Sequence, residues 1–218
     1  MSSNQRVDVI QAQDAALPPR TSYSQMSLFN QCGLRYYFQY LGKWKEPTSA
    51  ALACGSITHE VIEHLYRLAA HERTKERALE LMREHGTRLL RQSEYQAYMN
   101  DNSVKRQIME AVENLFDVED PTQVEVQPEH LEMELNVEIN GVHFFGKVDR
   151  LTVSGKNVVT DYKTGRSPGK FVDDRFAQPY LYALAFRTQF DMHIDEVDLI
   201  YLNARERIAR PNDVDVMA

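Results

Sequence analysis

Gly146 to Gly165 reads GKVDRLTVSGKNVVTDYKTG, two β-rich arms about a turn. Val148, Leu151 and Val153 punctuate the first arm, and Val158, Val159 and Tyr162 the second. Ser154-Gly155-Lys156 is the turn signal between them. A three-residue loop there pairs Val153 with Asn157, and counting outward puts Asp149 opposite Asp161. Directly opposed residues have Cβ atoms roughly 4.5–5.5 Å apart. Side chains alternate along a strand, so Asp161 and Lys163 share a face while Tyr162 points away. Two carboxylates that close repel unless positive charge lies between them. A divalent cation supplies it, and hard oxygen ligands select Mg²⁺ or Mn²⁺. An Asp-x-Lys triplet taken alone is more often a solvated surface pair. The pairing with Asp149 and the patterns elsewhere in the chain weigh against that plainer reading.

The chain around this hairpin has 218 residues, 43% hydrophobic and 26% charged, the composition of an ordinary globular protein. No apolar run is long enough to predict a membrane span. The first twenty residues lack an apolar core flanked by basic residues, so they do not read as a signal peptide. Two cysteines, Cys32 and Cys54, argue against a disulfide scaffold and suit a reducing cytoplasm. The net charge of −7 disfavours a purely electrostatic nucleic-acid binder. An acidic protein that approaches phosphate needs locally clustered basic groups or bound cations.

Residues 1–21 are polar, contain Pro18-Pro19, and read as a flexible lead-in. Ser24 is a candidate cap for a helix over 25–40, with Leu28, Cys32, Tyr36 and Tyr40 recurring every fourth residue. A second helix, 50–70, buries Ile57, Val61, Leu65 and Leu68 and carries His59 and Glu63 on another face. Residues 73–118 predict two more helices, broken near 98–101, forming an acidic helical cover and not a DNA-facing surface. After a connector over 121–128 the period changes to two: Leu131, Met133, Leu135, Val137, Ile139. Asn140-Gly141 is a hairpin turn signal. The expected meander is therefore 130–139, 142–153 and 157–163. A Gly- and Pro-rich loop leads to a helix holding Gln178, Tyr182, Leu184 and Phe186. Pro179 is tolerable only in a first turn, which predicts a start near Phe176 or Ala177. An apolar strand over 196–202 and a polar tail close the chain. The fold class is α/β: a central mixed sheet, made of a three-strand meander plus a strand after a crossover helix, flanked by helices. One domain spans 22–218, mainly helical over 22–120 and sheet-bearing over 128–205.

Four short patterns stand in order: Gly55-Ser-Ile-Thr-His59, Gly146-Lys-Val-Asp149-Arg150, Asp161-Tyr-Lys163-Thr-Gly165 and Gln178-Pro-Tyr-Leu-Tyr182. The set resembles the PD-(D/E)xK nuclease superfamily in its RecB-like, Cas4-like branch, where GxxxH, GxxD, (D/E)xK and QxxxY follow in this order. Each pattern is weak alone; four in order over residues 22–203 are specific. The resemblance implies a restriction-endonuclease-like core and a Mg²⁺- or Mn²⁺-dependent deoxyribonuclease, by family habit an exonuclease or DNA end-processing enzyme of recombination, repair, phage DNA metabolism or CRISPR adaptation. It implies Asp149 and Asp161 as carboxylate metal ligands, His59 as a further ligand, and the Tyr162 carbonyl as another. Lys163 would position or help deprotonate the attacking water and offset phosphate charge. Gln178 and Tyr182 would hold substrate or steady Lys163. Its partners would be DNA, single-stranded or with duplex ends, and a helicase, a recombinase or CRISPR components.

Relatives of this branch often bind an iron–sulfur cluster through one early and three late cysteines. Cys32 stands at the early place, but no cysteine follows Cys54, so no such cluster is expected and Cys32 reads as a small buried hydrophobe. Glu63 and Glu134 are further candidate acids or else solvated carboxylates. The basic residues from Arg35 to Lys45, with Arg166 and Lys170, could track phosphates or be ordinary surface charges; Arg166 is the one assigned to substrate. Tyr36, Tyr37, Tyr40 and Trp44 could stack bases, with core packing the better reading for most of them. The rival from another class is a non-catalytic module binding nucleic acid or protein, and RNA is the rival substrate.

Overall fold

The computed structural model describes residues 18–44, 46–167, 169 and 172–212. Most of the expected lead-in, Lys45, Lys170 and the tail beyond 212 lie outside the described residues.

Helix α1 (Tyr23–Gln31) opens on a capping box in which Ser22 Oγ accepts the Gln25 N–H and the Gln25 side chain accepts the Ser22 N–H. The cap is thus Ser22, not Ser24. The single helix expected over 25–40 is broken: Cys32 is extended, and α2 (Gly33–Tyr36) restarts and runs into a π-turn over Tyr37–Leu41. Gly33 explains the break, since glycine costs a helix interior about 0.5–1 kcal/mol relative to alanine. None of these three segments has a buried residue. Cys32 is accordingly exposed and not a core residue.

Helix α3 (Ala50–Tyr66) is the spine of the helical layer. Ile57, Val61 and Leu65, one helical turn apart, are fully buried. Against α3 pack α4 (Lys75–Leu81), a π-turn over Met82–Gly86, α5 (Thr87–Leu90) and α6 (Asn102–Val118). Val104, Ile108, Val112 and Leu115 form the buried stripe of α6. Each such side chain contributes about 1.5–3 kcal/mol on burial.

The sheet follows in order: β1 (Leu131–Ile139), β2 (Val142–Ser154), β3 (Lys156–Lys163), β4 (Glu196–Tyr201) and β5 (Glu206–Pro211), each paired with the next. The meander β1–β2–β3 is antiparallel, β3 and β4 are parallel across helix α7 (Val172–Phe190), and β5 returns antiparallel. The expected α/β architecture with a mixed sheet is present. Strand β5 was missed because Ile208 is its one strongly apolar residue. It turns back at Arg205, whose φ is +54°. Helix α7 also begins a turn earlier than Pro179 suggested, and Pro179 lies inside it. Tertiary contacts hold that first turn: Phe176 is fully buried and Asp173 pairs with Arg210.

The sheet separates two apolar layers. Helices α3 to α6 cover one face with Leu131, Tyr162, Ile200 and Leu202; α7 covers the other with Val148, Leu151, Val159 and Leu199. The β2–β3 ladder runs only from Ser154↔Lys156 to Arg150↔Thr160. Beyond it β2 turns to the N-terminal segment, where Thr21 bridges Phe144, while β3 continues along β4. The two strands thus fork, and residues 149 and 161–163 stand at the fork.

Candidate metal centre

Elements distant in the chain converge at that fork. From α3, His59 Nδ1 lies 3.2 Å from Asp149 Oδ1. The other oxygen of Asp149 accepts the Tyr162 N–H at 2.7 Å, so a side chain replaces the backbone acceptor that β2 would otherwise offer. The carboxylate is the wedge that opens the ladder. On β3, Lys163 Nζ lies 2.6 Å from Asp161 Oδ2. The same ammonium donates to Gln178 Oε1 at 3.0 Å, and Gln178 Nε2 donates to Tyr182 OH at 2.7 Å. The side-chain contacts form two groups at the fork, His59 with Asp149, and Asp161 with Lys163, Gln178 and Tyr182; each group feels the charge of the other.

Glu132 on β1 belongs to the same group. It offers a carboxylate oxygen within 4.8 Å of ligand atoms of both His59 and Asp149. Its φ is +53°, a left-handed conformation that costs a branched-free L residue about 1–3 kcal/mol. The distortion flips the strand: Met133 and Leu135 pack toward α7, whereas Leu131 joins the helical layer. On β2 the same switch falls at Asp149, between Val148 on the α7 side and Arg150 on the helical side. Lys147 Nζ holds Glu132 at 2.6 Å. The sequence points to Glu63 and Glu134 as further acids and not to Glu132 or its partner Lys147. Glu63 instead pairs with Arg67 at 2.7 Å, and Glu134 is exposed. A signal existed. The register fixed by the Asn140-Gly141 turn, carried inward from Ile139↔Val142, sets Glu132 opposite Asp149.

The far face of the sheet anchors the fork. Arg150 and Glu119 form a buried ion pair at 2.8 Å, and Tyr66 OH and Tyr162 OH both donate to Glu119. Tyr162 therefore points away from Asp161, as the alternation predicts, and its ring is packed under the helices.

Burial and charge act on every group here. Burial would push the His59 imidazolium down, but the Asp149 carboxylate, backed by Asp161 and Glu132, outweighs it and raises the pKa to about 9. Burial likewise opposes the charge on Asp149, yet His59 holds its carboxyl below the usual range. Asp161 goes the other way: burial, with Asp149 beside it, raises it despite Lys163. Lys163 is raised in turn because Asp161 outweighs the cost of burial.

The donor set fits a hard divalent cation. Asp161 Oδ2 is buried, and the Lys163 ammonium 2.6 Å away is the charge set against it. His59, Asp149 and Glu132 bring one imidazole nitrogen and two carboxylate oxygens within 4.8 Å of one another, a set suited to Mn²⁺ or Mg²⁺, while Asp161 stands outside that group.

Two clefts flank Lys147. One, ≈ 560 Å³, is lined by His59, Glu60, Glu63, Glu132 and Thr164 among others. The second, ≈ 390 Å³, is lined by Arg20, Ser22, Gly146, Gln178 and Tyr182 among others. Arg166 lines neither: it is exposed in the loop after β3 and has no hydrogen bond or ion pair among the described residues. Arg35 is spent on Glu46 at the surface, at 2.7 Å. Trp44 is 71% exposed, while Tyr36, Tyr37 and Tyr40 are half-buried. Core packing therefore fails for Trp44. No helix among the described residues is long and apolar enough to cross a membrane.

A family model described as the PD-(D/E)XK nuclease superfamily matches residues 20–217. No curated protein matches the chain.

Proposed function

The chain belongs to the PD-(D/E)XK nuclease superfamily, and from that premise we propose that it is a metal-dependent deoxyribonuclease that processes DNA ends. The observation that carries this reading is that the His59–Asp149 pair and the Asp161–Lys163 pair flank the fork between β2 and β3. The order of the four patterns supports the RecB-like, Cas4-like branch, and with it exonuclease action.

Phosphodiester hydrolysis builds negative charge on the phosphoryl and leaving oxygens. His59, Asp149, Asp161 and Glu132 would hold Mg²⁺ or Mn²⁺, with the Tyr162 carbonyl as a further ligand. A cation bound there would supply Lewis-acid polarisation of the phosphate and a more acidic water. Lys163 stands beside Asp161 as a fixed positive charge, and Gln178 holds its ammonium in place. Its raised pKa suits it to offsetting phosphate charge and orienting water. Tyr182 in turn fixes Gln178. Lys147 and Arg20 are the cations at the clefts where the DNA backbone would pass. Arg166 would contact DNA only beyond the cluster.

The test is cleavage of end-labelled DNA, single- and double-stranded, linear and circular, with Mn²⁺ or with EDTA. Linear DNA shortened from its ends in Mn²⁺ only, with circles intact and RNA spared, is the expected result. Cut circles would make it an endonuclease. Cleavage unchanged in Asp161→Ala and in Lys163→Ala would remove this site from the reaction.

A further inference from the structure

A second cluster of ligand-type side chains stands one residue along α3 from His59. Glu60 and His64 share a face of α3 at i and i+4, and His85 reaches them from the π-turn that interrupts the helix after α4. Their ligand atoms all lie within 4.8 Å of one another. His64 Nε2 is 3.8 Å from Glu60 Oε1, and His85 Nδ1 is 3.6 Å from the same oxygen. In a tetrahedral zinc site, bonds of about 2.0–2.1 Å place ligand atoms roughly 3.4 Å apart. Each histidine needs to approach the Glu60 oxygen by only a few tenths of an ångström.

Two features set it apart from an ordinary surface group. His85 Nδ1 is buried and has no hydrogen-bond partner, in the one direction that faces Glu60. The two imidazoles lie face to face, centroids 3.7 Å apart and planes 23° apart, so one ring has to turn for both to ligate a single ion. The π-turn that carries His85 is a conformation rarely kept without a local reason, and such turns recur at functional sites. Arg88, with a side chain 60% exposed, donates to this same Glu60 oxygen, so a cation here takes the place of its guanidinium.

From this geometry we infer that Glu60, His64 and His85 form a second metal site, one that takes Zn²⁺ or a similar borderline transition metal. Two imidazole nitrogens and one carboxylate oxygen make a softer set than the carboxylate-rich fork. The two sites therefore differ in preference: Mg²⁺ or Mn²⁺ at the fork, Zn²⁺ here. A cation at this place ties the π-turn to α3, the helix that positions His59. The inference rests on this cluster alone and stands whether or not the fork hydrolyses DNA.

The experiment uses the full untagged chain carrying Asp149→Asn and Asp161→Asn, which disables the fork. Calorimetric titration with Zn²⁺ is expected to give one equivalent, a higher Tm, and, with Co²⁺ in its place, visible bands of tetrahedral intensity. Adding His64→Gln or His85→Gln is expected to weaken Zn²⁺ at least about tenfold and to remove the bands. Circular dichroism without metal checks each fold, and Glu60→Gln carries the same test if a histidine variant does not fold. No Zn²⁺ bound by the fork-disabled chain, or binding unmoved by every one of these substitutions, overturns the inference.

Discussion

Gly146 on β2 and Tyr182 on α7 approach so closely that a Cβ at position 146 would stand 2.7 Å from Tyr182 Cε1. The glycine of one pattern exists for the tyrosine of another. The ring is buried against Phe144, which would itself lie 3.0 Å from that Cβ, so it cannot simply swing out. Gly146→Ala should therefore push Tyr182 off its seat, and with it Gln178 and Lys163. Overpacking of this kind costs about 1–3 kcal/mol, or a Tm lower by roughly 2–12 °C for a chain of this size. Cleavage should fall further than stability explains. Thermal melting and cleavage rates under folded conditions check both; an alanine variant with wild-type rate would deny the linkage.

Gln178 touches Lys163, and on this reading acts only through it. Lys163→Ala should lower the cleavage rate by about 10²–10³-fold. Gln178→Ala alone should lower it less. In the Lys163→Ala background, Gln178→Ala should change nothing further, since residues acting as a unit are not additive. Single-turnover rates of the four proteins close this cycle. A further loss in the double variant would show that Gln178 meets substrate directly.

The hairpin around Ser154-Gly155-Lys156 was legible because two β-rich arms and a turn signal leave one register that buries both arms. That register carried Asp149 to Asp161. What it could not carry was the fork itself, because a side-chain oxygen of Asp149 takes the Tyr162 N–H in place of a backbone carbonyl. Strand rules assume an unbroken ladder. Glu132 was passed over for a related reason: its left-handed φ breaks the alternation on which the polar-outward reading of β1 depends. The N-terminal helix was overextended because four-residue spacing of Leu28, Cys32, Tyr36 and Tyr40 mimics a buried stripe where none is buried. Helix α7 was shortened because propensity at Pro179 was weighed without the tertiary anchor of Phe176.

Arg150 holds the fork from behind, and its pair with Glu119 is among the most buried in the protein, at 4% and 6% exposure. Arg150→Met leaves Glu119 charged and unpaired, which costs about 3–5 kcal/mol and a Tm drop of roughly 6–20 °C. Adding Glu119→Gln removes that charge while its carbonyl still accepts from Tyr66 and Tyr162. The double variant should recover part of the loss. Melting curves of the two variants decide it: a double variant less stable than Arg150→Met alone would mean the pair matters through packing and not charge.

Glu132 combines a backbone cost with a chemical use, and two substitution pairs separate them. At φ +53° a glycine is unstrained and an alanine is not. Glu132→Gly should therefore be more stable than Glu132→Ala by about 1–2 kcal/mol, the reverse of the order found within regular strands. Both lose the carboxylate and its ion pair with Lys147. Glu132→Gln keeps the shape and removes only the charge beside His59 and Asp149. It should hold its fold yet bind Mn²⁺ about 10–100-fold more weakly, as read by Mn²⁺ titration of the Tm. If Glu132→Gln binds Mn²⁺ as the wild type does, the strained residue serves the backbone alone. The cation then rests on His59, Asp149 and Asp161 without it.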